Sequence, residues 1–334
     1  MEDKVMTMRE ALNLALDQAL AADDRVFLLG EDIADPGASG PTAGLSTKYG
    51  HDRVVDTPIS EAAILGAAIG AAIDGLLPVA EIMIMDFIGI AADQLINNAA
   101  KLRFMTAGRT TAPITVRTQV YAGLATGATH SQSLEAWFMH IPGMKVIVPS
   151  TPRDGKGLLT SAIFDPDPCL FVETIRLQGQ KGPVPTDPGF SIPMGLAEVK
   201  RPGDDVTIIS YGRSVHDALT AATTLAQQGV SAEVVDLRTL VPLDVETMVA
   251  SVRRTRRAVV VHDAVQFAGP GAEVTAILQA EAFSELAAPV ERVGARFVPA
   301  PAAAALEAQI YPSPARIVEA AQRTLQGSAV RAHG

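Results

Sequence analysis

A glutamate stands at the start of a predicted helix in the segment DTPISEAAILGAAIGAAIDG, residues 56–75. Pro58 and Ser60 are typical of a helix start, and Glu61 then falls in the first turn, where the helix dipole favours a carboxylate. One interpretation of Glu61 is a stabilising surface residue. The residues behind it favour a buried interface instead, because they are small enough to let another helix approach closely: Ala62, Ala63, Gly66, Ala67, Gly70 and Ala71.

Phe87 and His130 lie in two further segments that favour chemistry. Phe87 follows a predicted strand in residues 78–105, and open α/β sheets bind ligands at the carboxyl ends of their strands. Core packing is the alternative for Phe87. His130 ends a glycine-rich loop in residues 123–152, where an exposed histidine is a candidate acid or base because imidazole titrates near neutrality. A structural hydrogen bond is the alternative for His130.

Common nucleotide-binding and hydrolase motifs are absent from the sequence. Gly269-Pro270-Gly271 lacks the third glycine of a dinucleotide-binding fingerprint. Gly155-Lys156 has neither the upstream glycine nor the following Ser or Thr of a phosphate-binding loop. No G-x-S-x-G nucleophile elbow occurs, so the function must come from a less general pattern.

The composition excludes several classes of protein. A net charge of −10 argues against a nucleic-acid surface, because neutralising phosphates requires clustered Lys and Arg. Cys169 is the only cysteine, which excludes an internal disulfide and a thiolate metal site. The longest apolar run, residues 62–73, is too short to cross a membrane. The first residues lack the apolar core of a signal peptide, so we expect a cytoplasmic protein.

Alternating strands and helices must position the candidate residues. A capping-box pattern at Thr7 and Glu10 predicts a first amphipathic helix. Short β-rich runs then alternate with helical ones, which is typical of a parallel sheet covered on both faces. In the first half we predict strands at 26–29, 79–84, 114–118, 145–148 and 169–172, with helices at 60–74, 91–105 and 154–163.

A break in this alternation divides the chain of 334 residues, which is long enough for two α/β domains. Residues 176–193 contain four prolines and three glycines and cannot continue a helix or an interior strand. Beyond them we predict strands at 206–211, 232–237 and 258–262, with helices at 214–228, 244–253, from about 271, and 313–325. The predicted fold is α/β, with two doubly wound domains at 1–180 and 194–334 and a linker at 181–193.

Over essentially the whole chain, the sequence resembles the β subunit of the first (E1) component of thiamine-dependent 2-oxo acid dehydrogenase complexes, including acetoin dehydrogenase. The three segments above carry the resemblance in this order. Further matching segments are GEDIADPGASGPTAGLSTKYGHDRVVDTPISEAAILG (30–66), VTIISYGRSVHDAL (206–219), AEVVDLRTLVPLD (232–244) and VVVHDA (259–264). The resemblance implies an N-terminal thiamine pyrimidine-binding domain and a C-terminal transketolase-type domain.

The resemblance also implies roles for the candidate residues. Glu61 matches the glutamate that binds N1′ of the thiamine pyrimidine, where a carboxylate favours the imino tautomer that activates the thiazolium carbon. Ile59 is expected to contact the cofactor, and Phe87 matches the aromatic residue that stacks on the pyrimidine. His130 matches a histidine that handles protons or stabilises charge while the acyl group passes to a lipoyl arm.

A second polypeptide is implied by what this chain lacks. The family holds the Mg²⁺ of the diphosphate with a GDG sequence followed by asparagines, and no GDG occurs here. Asn97-Asn98 therefore have no such partner upstream, and we interpret them as structural. The resemblance implies an α2β2 heterotetramer in which the α subunit holds Mg²⁺ and the cofactor is shared. It also implies docking to a dihydrolipoyl acyltransferase (E2) core.

Some relatives also bind a monovalent cation, of which K⁺ is an example. The matching positions, taken mainly as backbone ligands, are Ala112, Ile114, Thr115, Ala162, Asp165 and Asp167. The resemblance thus implies a candidate K⁺ site in this chain.

The implied substrate is a small carbonyl compound, either acetoin or pyruvate and other 2-oxo acids. Residues 171–180, FVETIRLQGQ, depart from the usual pattern by lacking its lysine and tyrosine. One alternative is a subunit of a two-chain transketolase-like enzyme, in which a sugar accepts the two-carbon unit. Another is a non-catalytic assembly subunit that retains the fold.

Overall fold

The computed structural model describes residues 3–35 and 40–326. Contacts between Cα atoms divide the chain into two compact units, residues 1–121 with 129–194 and residues 122–128 with 195–334. Residues 36–39 of the family-like segment 30–66 and residues 327–334 of the predicted second domain lie outside the described ranges. None of the helices in those ranges combines the length and the apolar composition needed to cross a bilayer.

The first unit alternates strands and helices as predicted. Its strands are β1 (Asp3–Thr7), β2 (Val26–Gly30), β3 (Val54–Asp56), β4 (Leu77–Ile84), β5 (Thr115–Val120), β6 (Lys145–Ile147), β7 (Cys169–Thr174) and β8 (Lys181–Pro185). Its α-helices are α1 (Met8–Ala22), α2 (Leu45–Tyr49), α3 (Glu61–Ile73), α4 (Ala100–Met105), α5 (Glu135–Met139) and α6 (Pro152–Ile163). The capping box is confirmed, since the Thr7 hydroxyl accepts from Glu10 N and the Glu10 carboxylate accepts from Thr7 N.

A parallel sheet forms the centre of this unit, with strands in the order β6-β7-β5-β4-β2-β3. One face is covered by α1 and α6, whose apolar side chains join a core that includes Leu12, Leu16, Leu158 and Phe171. Helix α3 packs on β4 and on the segment that follows it. The predicted parallel α/β architecture is therefore confirmed.

The predicted continuous helix at 91–105 is wrong. The chain forms a 3₁₀ helix at Met85–Ala91, a π-helical turn at Gln94–Ala99 and only then α4. The Asn98 side chain donates to the carbonyl oxygen of Asp93 at 3.4 Å, and the Asn97 side chain donates to the Asp93 carboxylate at 2.7 Å. The Asn98 bond uses a backbone carbonyl that regular α-helical bonding would also use, which gives a local reason for the wider turn.

Residues 181–193, interpreted from the sequence as a linker, contain strand β8. It pairs antiparallel with β1 in a two-stranded ribbon, from Asp3 opposite Pro185 to Thr7 opposite Lys181. Its prolines are compatible with pairing because a strand in such a ribbon needs ladder hydrogen bonds on one side only. Sequence patterns that exclude an interior strand therefore do not exclude an edge strand.

An ion cluster ties β4, β5 and β7 together inside the sheet. Arg117 Nη1 lies 2.7 Å from Glu81 Oε2, and its Nε donates to Glu173 Oε1 at 2.8 Å. Gln178 donates to the other Glu173 oxygen at 2.7 Å. Burial raises the pKa of Glu173, while Arg117 opposes that rise. Because removing one partner would strand a buried charge, the cluster fixes the register of the three strands beneath the candidate site.

The second unit has its own sheet and core. Its strands are β9 (Glu198–Arg201), β10 (Val206–Ser210), β11 (Ala232–Asp236), β12 (Thr239–Val241), β13 (Ala258–Val265) and β14 (Glu291–Ala295). Its helices are α7 (Ser214–Gln227), α8 (Val245–Thr255), α9 (Pro270–Ala282), α10 (Ala304–Glu307) and α11 (Pro314–Leu325). One sheet runs in the order β14-β13-β10-β11-β9, parallel except for the antiparallel edge strand β9.

His262 on β13 is fully buried and lies against three glycines. A Cβ atom added to Gly269, Gly271 or Gly294 would come within 2.7–2.9 Å of an imidazole atom. His262 Nδ1 lies 2.9 Å from the Ala264 carbonyl, which can only accept, so Nδ1 carries the proton of the neutral ring. Burial, with a smaller contribution from the charge of Arg292, lowers the pKa of His262 to about 4, although the Ala264 carbonyl and Asp263 oppose the shift.

We therefore expect the protein to lose stability between pH 6.5 and pH 4. Above pH 6.5, His262 is neutral in both the folded and the unfolded chain. As the pH falls towards 4, the imidazole becomes protonated in the unfolded chain but stays neutral in the folded chain, so the unfolded state is favoured. The free energy of unfolding should fall by about 2 kcal/mol between pH 7 and pH 5 from this residue alone. Urea unfolding of the full chain and of His262→Gln at both pH values measures this difference.

The exposed His51 supplies the control for that comparison. In His51→Gln, the free energy of unfolding should fall between pH 7 and pH 5 by the same amount as in the unmodified chain. In His262→Gln, the fall should be smaller by about 2 kcal/mol, with an uncertainty of roughly 1 kcal/mol. An identical pH dependence in the chain and in His262→Gln would show that the buried imidazole is not the group that titrates.

Candidate active site

The candidate residues meet at the carboxyl edge of three neighbouring parallel strands. Strands β4, β2 and β3 are adjacent in that order, so their carboxyl ends lie side by side. The chain continues from β2 into Glu31, from β4 into Asp86 and Phe87, and from β3 through residues 57–60 into Glu61. This edge is where open α/β sheets bind ligands.

Glu61 is the first residue of α3, as the sequence predicted. Its side chain is withdrawn from solvent, with 8% exposure for the residue. Among the residues that the structure describes, none donates a hydrogen bond to its carboxylate. Each oxygen of a carboxylate can accept hydrogen bonds, so a ligand could donate to Glu61 without displacing a donor of the chain. The position is therefore suited to a ligand with an N–H donor.

Glu31 is a site residue that the sequence analysis missed. Burial raises its pKa, and the neighbouring charges of Asp32 and Glu61 raise it further. Asp56 fixes the turn beside it by accepting hydrogen bonds from Ile33 N and Ala34 N, each at 2.8 Å. Glu31 thus lies within electrostatic range of Glu61 and retains a proton at higher pH than an ordinary glutamate. Two adjacent acids after a buried strand were the available signal in the sequence.

Phe87 and His130 contact each other, although 43 positions separate them in the sequence. Their rings meet edge to face, with centroids 5.2 Å apart and an interplanar angle of 81°. Thr129 Oγ1 lies 3.0 Å from His130 Nδ1. Both rings are only partly buried, so each keeps accessible surface at the carboxyl edge of the sheet. The structure therefore brings together two residues that the sequence placed in separate segments.

Asp86 holds the segment that carries His130. The Asp86 carboxylate accepts from Gln132 Nε2 at 2.8 Å and from Gln132 N at 3.3 Å. Leu134 N donates to the Met85 sulfur at 3.4 Å, which gives a second attachment to the same 3₁₀ helix. Neither attachment was predicted, because the two segments are far apart in the sequence. Together they keep His130 beside Phe87.

Ile59, expected to contact a cofactor, lies two residues before Glu61 and is 75% exposed. The structure thus places it next to the site in sequence but open to solvent. An exposed isoleucine of this size is compatible with contact to a ligand or to another chain.

The proposed monovalent-cation positions lie around the start of β5 and the end of α6. The Ala112 carbonyl accepts from Ile114 N at 2.8 Å, and the Ile114 carbonyl accepts from Cys169 N at 2.9 Å. The carboxylates are also paired, Asp165 with Lys145 and Asp167 with Arg103. Carbonyl oxygens have a second lone pair, so these bonds leave room for a cation, and the site remains a prediction.

Thr115 and Ala162 complete that set. Thr115 begins β5 and is buried, and Ala162 is buried on α6, where its carbonyl accepts from Asp165 N at 3.2 Å. Elsewhere, residues 3–35 and 40–326 bring together no group of three or more His, Cys, Asp or Glu side chains that could hold a metal ion.

Two family models match the chain. The transketolase pyrimidine-binding domain matches residues 4–179, and the transketolase C-terminal domain matches residues 195–317. Together they account for most of the sequence, and their order agrees with the order expected from the resemblance.

Curated relatives match over nearly the full length. The β subunit of acetoin:2,6-dichlorophenolindophenol oxidoreductase from Cupriavidus necator is 45% identical, covering 96% of this chain and 98% of the relative. The mitochondrial pyruvate dehydrogenase E1 component subunit beta-2 of Oryza sativa subsp. japonica is 46% identical, covering 96% of this chain and 86% of the relative. The Bacillus subtilis acetoin:2,6-dichlorophenolindophenol oxidoreductase β subunit is 42% identical, covering 94% and 96%.

Solved structures agree with the fold. A structure described as a split-gene transketolase, inactive β4 tetramer, has a TM-score of 0.78 at 24% identity and covers 96% of this chain and 98% of that chain. A transketolase variant from Pichia stipitis has a TM-score of 0.70 at 19% identity, covering 97% of this chain and 47% of that chain. At these identities the likeness concerns the fold alone.

We expect Asp86→Ala to loosen the His130 segment. Removing the carboxylate deletes both bonds to Gln132, and a hydrogen bond to a charged group contributes about 1.5–3 kcal/mol. Amide hydrogen exchange in residues 129–134 of the full chain should accelerate roughly tenfold or more. Asp86→Asn retains one acceptor oxygen and should give a smaller increase. Unchanged exchange in Asp86→Ala would mean that other contacts hold the segment.

Proposed function

The chain belongs to the family that joins a transketolase pyrimidine-binding domain to a transketolase C-terminal domain, and we propose that it is the β subunit of a thiamine-diphosphate-dependent E1 dehydrogenase. Its substrate is acetoin or pyruvate, or another small 2-oxo acid, and the acyl group passes to lipoamide. The main observation behind this proposal is Glu61, a residue with 8% exposure whose carboxylate accepts no hydrogen bond from the described residues. Identities of 42–46% over nearly the full chain support it.

The fit to thiamine diphosphate rests on the residues of the first unit. When bound, the cofactor supplies a thiazolium carbon that adds to the carbonyl carbon of the substrate. Glu61 accepts a hydrogen bond from pyrimidine N1′ and holds the proton there, which an unbonded carboxylate is free to do. Glu31 lies within electrostatic range of Glu61, and burial together with the charges of Asp32 and Glu61 raises its pKa above the usual value.

Phe87 and His130 complete this half of the pocket. The accessible part of the Phe87 ring offers a flat apolar face on which the pyrimidine stacks. His130 touches the edge of that ring, and its imidazole donates or removes protons as the substrate is cleaved. Asp86 and Gln132 act as positioning residues because they reach the reacting groups only through the His130 segment.

The diphosphate is held by a second chain in this proposal. The described pocket residues include three acids, Glu31, Glu61 and Asp86, and like charges disfavour a diphosphate beside them. Mg²⁺ bound by an α subunit would neutralise the phosphates instead. We propose an α2β2 heterotetramer, docked to a dihydrolipoyl acyltransferase core and located in the cytoplasm. The K⁺ site stays a prediction within this proposal.

Helix α3 supplies the surface for that second chain. Its inner face is buried through Ile64, Leu65, Ala68, Ile69 and Ala72. On the outer side, Ala62, Ala63, Ala67 and Gly70 are exposed, and no described atom lies within 4 Å of a Cβ added at Gly70. Such a face lets a partner helix approach closely beside Glu61, so the catalytic carboxylate and the interface share one helix.

Replacing Glu61 tests the function directly. In the complex co-expressed with the α partner, Glu61→Gln should lower kcat by about 10²–10⁴-fold, because the amide cannot act as the acid–base group. Glu246 is a matched control, since it is an exposed glutamate in the first turn of α8. Glu246→Gln should keep full activity. Full activity in Glu61→Gln would instead support a non-catalytic assembly subunit.

The substrate is identified with the same complex. We expect reduction of an artificial electron acceptor with acetoin, pyruvate or a branched 2-oxo acid, and acylation of a lipoyl domain with the preferred substrate. Transfer of a two-carbon unit to a sugar phosphate without lipoyl acylation would indicate the transketolase-like alternative. The preferred substrate should be the one whose carbonyl group the pocket holds against the reactive carbon of the cofactor.

The interface is tested independently of catalysis. Ala67→Trp adds a bulky ring to the exposed face of α3 and should leave the fold of the chain unchanged. We expect it to abolish co-purification with the α partner, as size-exclusion chromatography would reveal. Ala226→Trp, at an exposed alanine of α7, is the matched control and should assemble normally. Normal assembly of Ala67→Trp would place the interface elsewhere.

A further inference from the structure

A cavity in the second unit lies outside the site described above. It has a volume of about 380 Å³ and opens at the carboxyl ends of the parallel strands β13 and β14. Gln266 and Phe267 follow β13, whereas Arg296 and Phe297 follow β14. The position is the one at which parallel α/β sheets bind ligands, and the volume is that of a small-molecule pocket.

Three arginines line this cavity, namely Arg292, Arg296 and Arg316, and none of the other described residues that line it is acidic. The opposing charge that acts on Arg316 is that of the exposed Glu319. Burial lowers the pKa of Arg316, and the charge of Arg296 lowers it further, so the two guanidinium groups repel each other. Because arginine stays protonated, the cavity carries an excess of positive charge that an anion would neutralise.

The three guanidinium groups are not equally engaged. Arg316 donates to the carbonyls of Ile310, Tyr311 and Gly294 at 3.1, 2.9 and 3.0 Å, so it is a fixed structural charge. Arg292 donates one bond, to the Gln266 carbonyl at 3.2 Å. Arg296 is exposed, and no residue in the described ranges accepts a hydrogen bond from its guanidinium. Its donors are free for a ligand.

An aromatic pair stands at the same cavity. The rings of Phe267 and Phe297 lie 5.0 Å apart at 52°, and the two residues are 68% and 71% exposed. Two adjacent exposed phenylalanines are unfavourable in water unless a ligand or partner covers them. They would offer an apolar surface within reach of the guanidinium donors.

We propose that this cavity binds a small phosphate ester with a planar apolar group. The phosphate is held by Arg296, assisted by Arg292 and by the fixed charge of Arg316, and the planar group packs on Phe267 and Phe297. A phosphate monoester is close to a dianion at neutral pH, which suits several arginines better than a single carboxylate does. This binding site is independent of the proposed function, since it uses no residue of the first unit.

Phenyl phosphate is the probe for this site. We expect saturable binding to the full chain by isothermal titration calorimetry, and none with phenol, which lacks the anion. Arg296→Gln should weaken binding at least about tenfold, because it removes a charge-assisted hydrogen bond. Phe297→Ala should weaken phenyl phosphate while leaving inorganic phosphate unchanged. Arg253→Gln, at an exposed arginine on α8, is the matched control and should bind normally.

Several outcomes would overturn this inference. Absence of saturation with phenyl phosphate would do so, as would equal weakening in Arg296→Gln and Arg253→Gln, which would indicate general charge attraction. Binding of a hexaglutamate peptide that excludes phenyl phosphate at lower concentration would assign the surface to an acidic protein segment instead. None of these results bears on Glu61, whose variants are measured by activity in the assembled complex.

Discussion

A carboxylate on a residue with only 8% exposure, which accepts no hydrogen bond from the described residues, is the feature on which the candidate site of the first unit depends. Glu61 is buried at the start of α3, and the strands that end beside it are parallel neighbours, so several acids meet at one edge. The ion cluster of Arg117, Glu81 and Glu173 fixes the register of the sheet below that edge. A ligand that donates a hydrogen bond to Glu61 would supply the partner that the described chain does not.

In the proposed function, the same feature suits the chain to half of a shared site. Its acids can hold a nitrogen heterocycle but disfavour a diphosphate, and its helix α3 exposes small residues next to the carboxylate. A second chain that packs against α3 would at once exclude water from Glu61 and bring the cations that phosphates require. Binding of the partner and formation of the catalytic pocket would then be a single event.

The second unit has a different charge distribution from the first. It buries the neutral imidazole of His262, and three glycines lie so close to that ring that a Cβ atom at any of them would clash with it. Its cavity is positively charged, because Arg292, Arg296 and Arg316 lie there beside two exposed aromatic rings. The two units therefore present opposite charges at the carboxyl edges of their sheets.

The sequence by itself determined the alternation of strands and helices, the position of Glu61 in a first turn and the small residues behind it. These follow from local periodicity and capping, as at Thr7 and Glu10, and they need no knowledge of distant residues. The resemblance to a family could be read from motifs spread over the chain, and the full-length relatives agree with it.

Only the tertiary structure decided which distant residues meet. The contact of Phe87 with His130, the bonds from Asp86 to Gln132 and the pairing of β8 with β1 join segments that no local pattern connects. The π-helical turn at Gln94–Ala99 and the arginine cavity were likewise missed. The physical reason is that short edge strands, irregular helices and pockets are stabilised by long-range contacts, whereas sequence periodicity reports only the face that a segment buries.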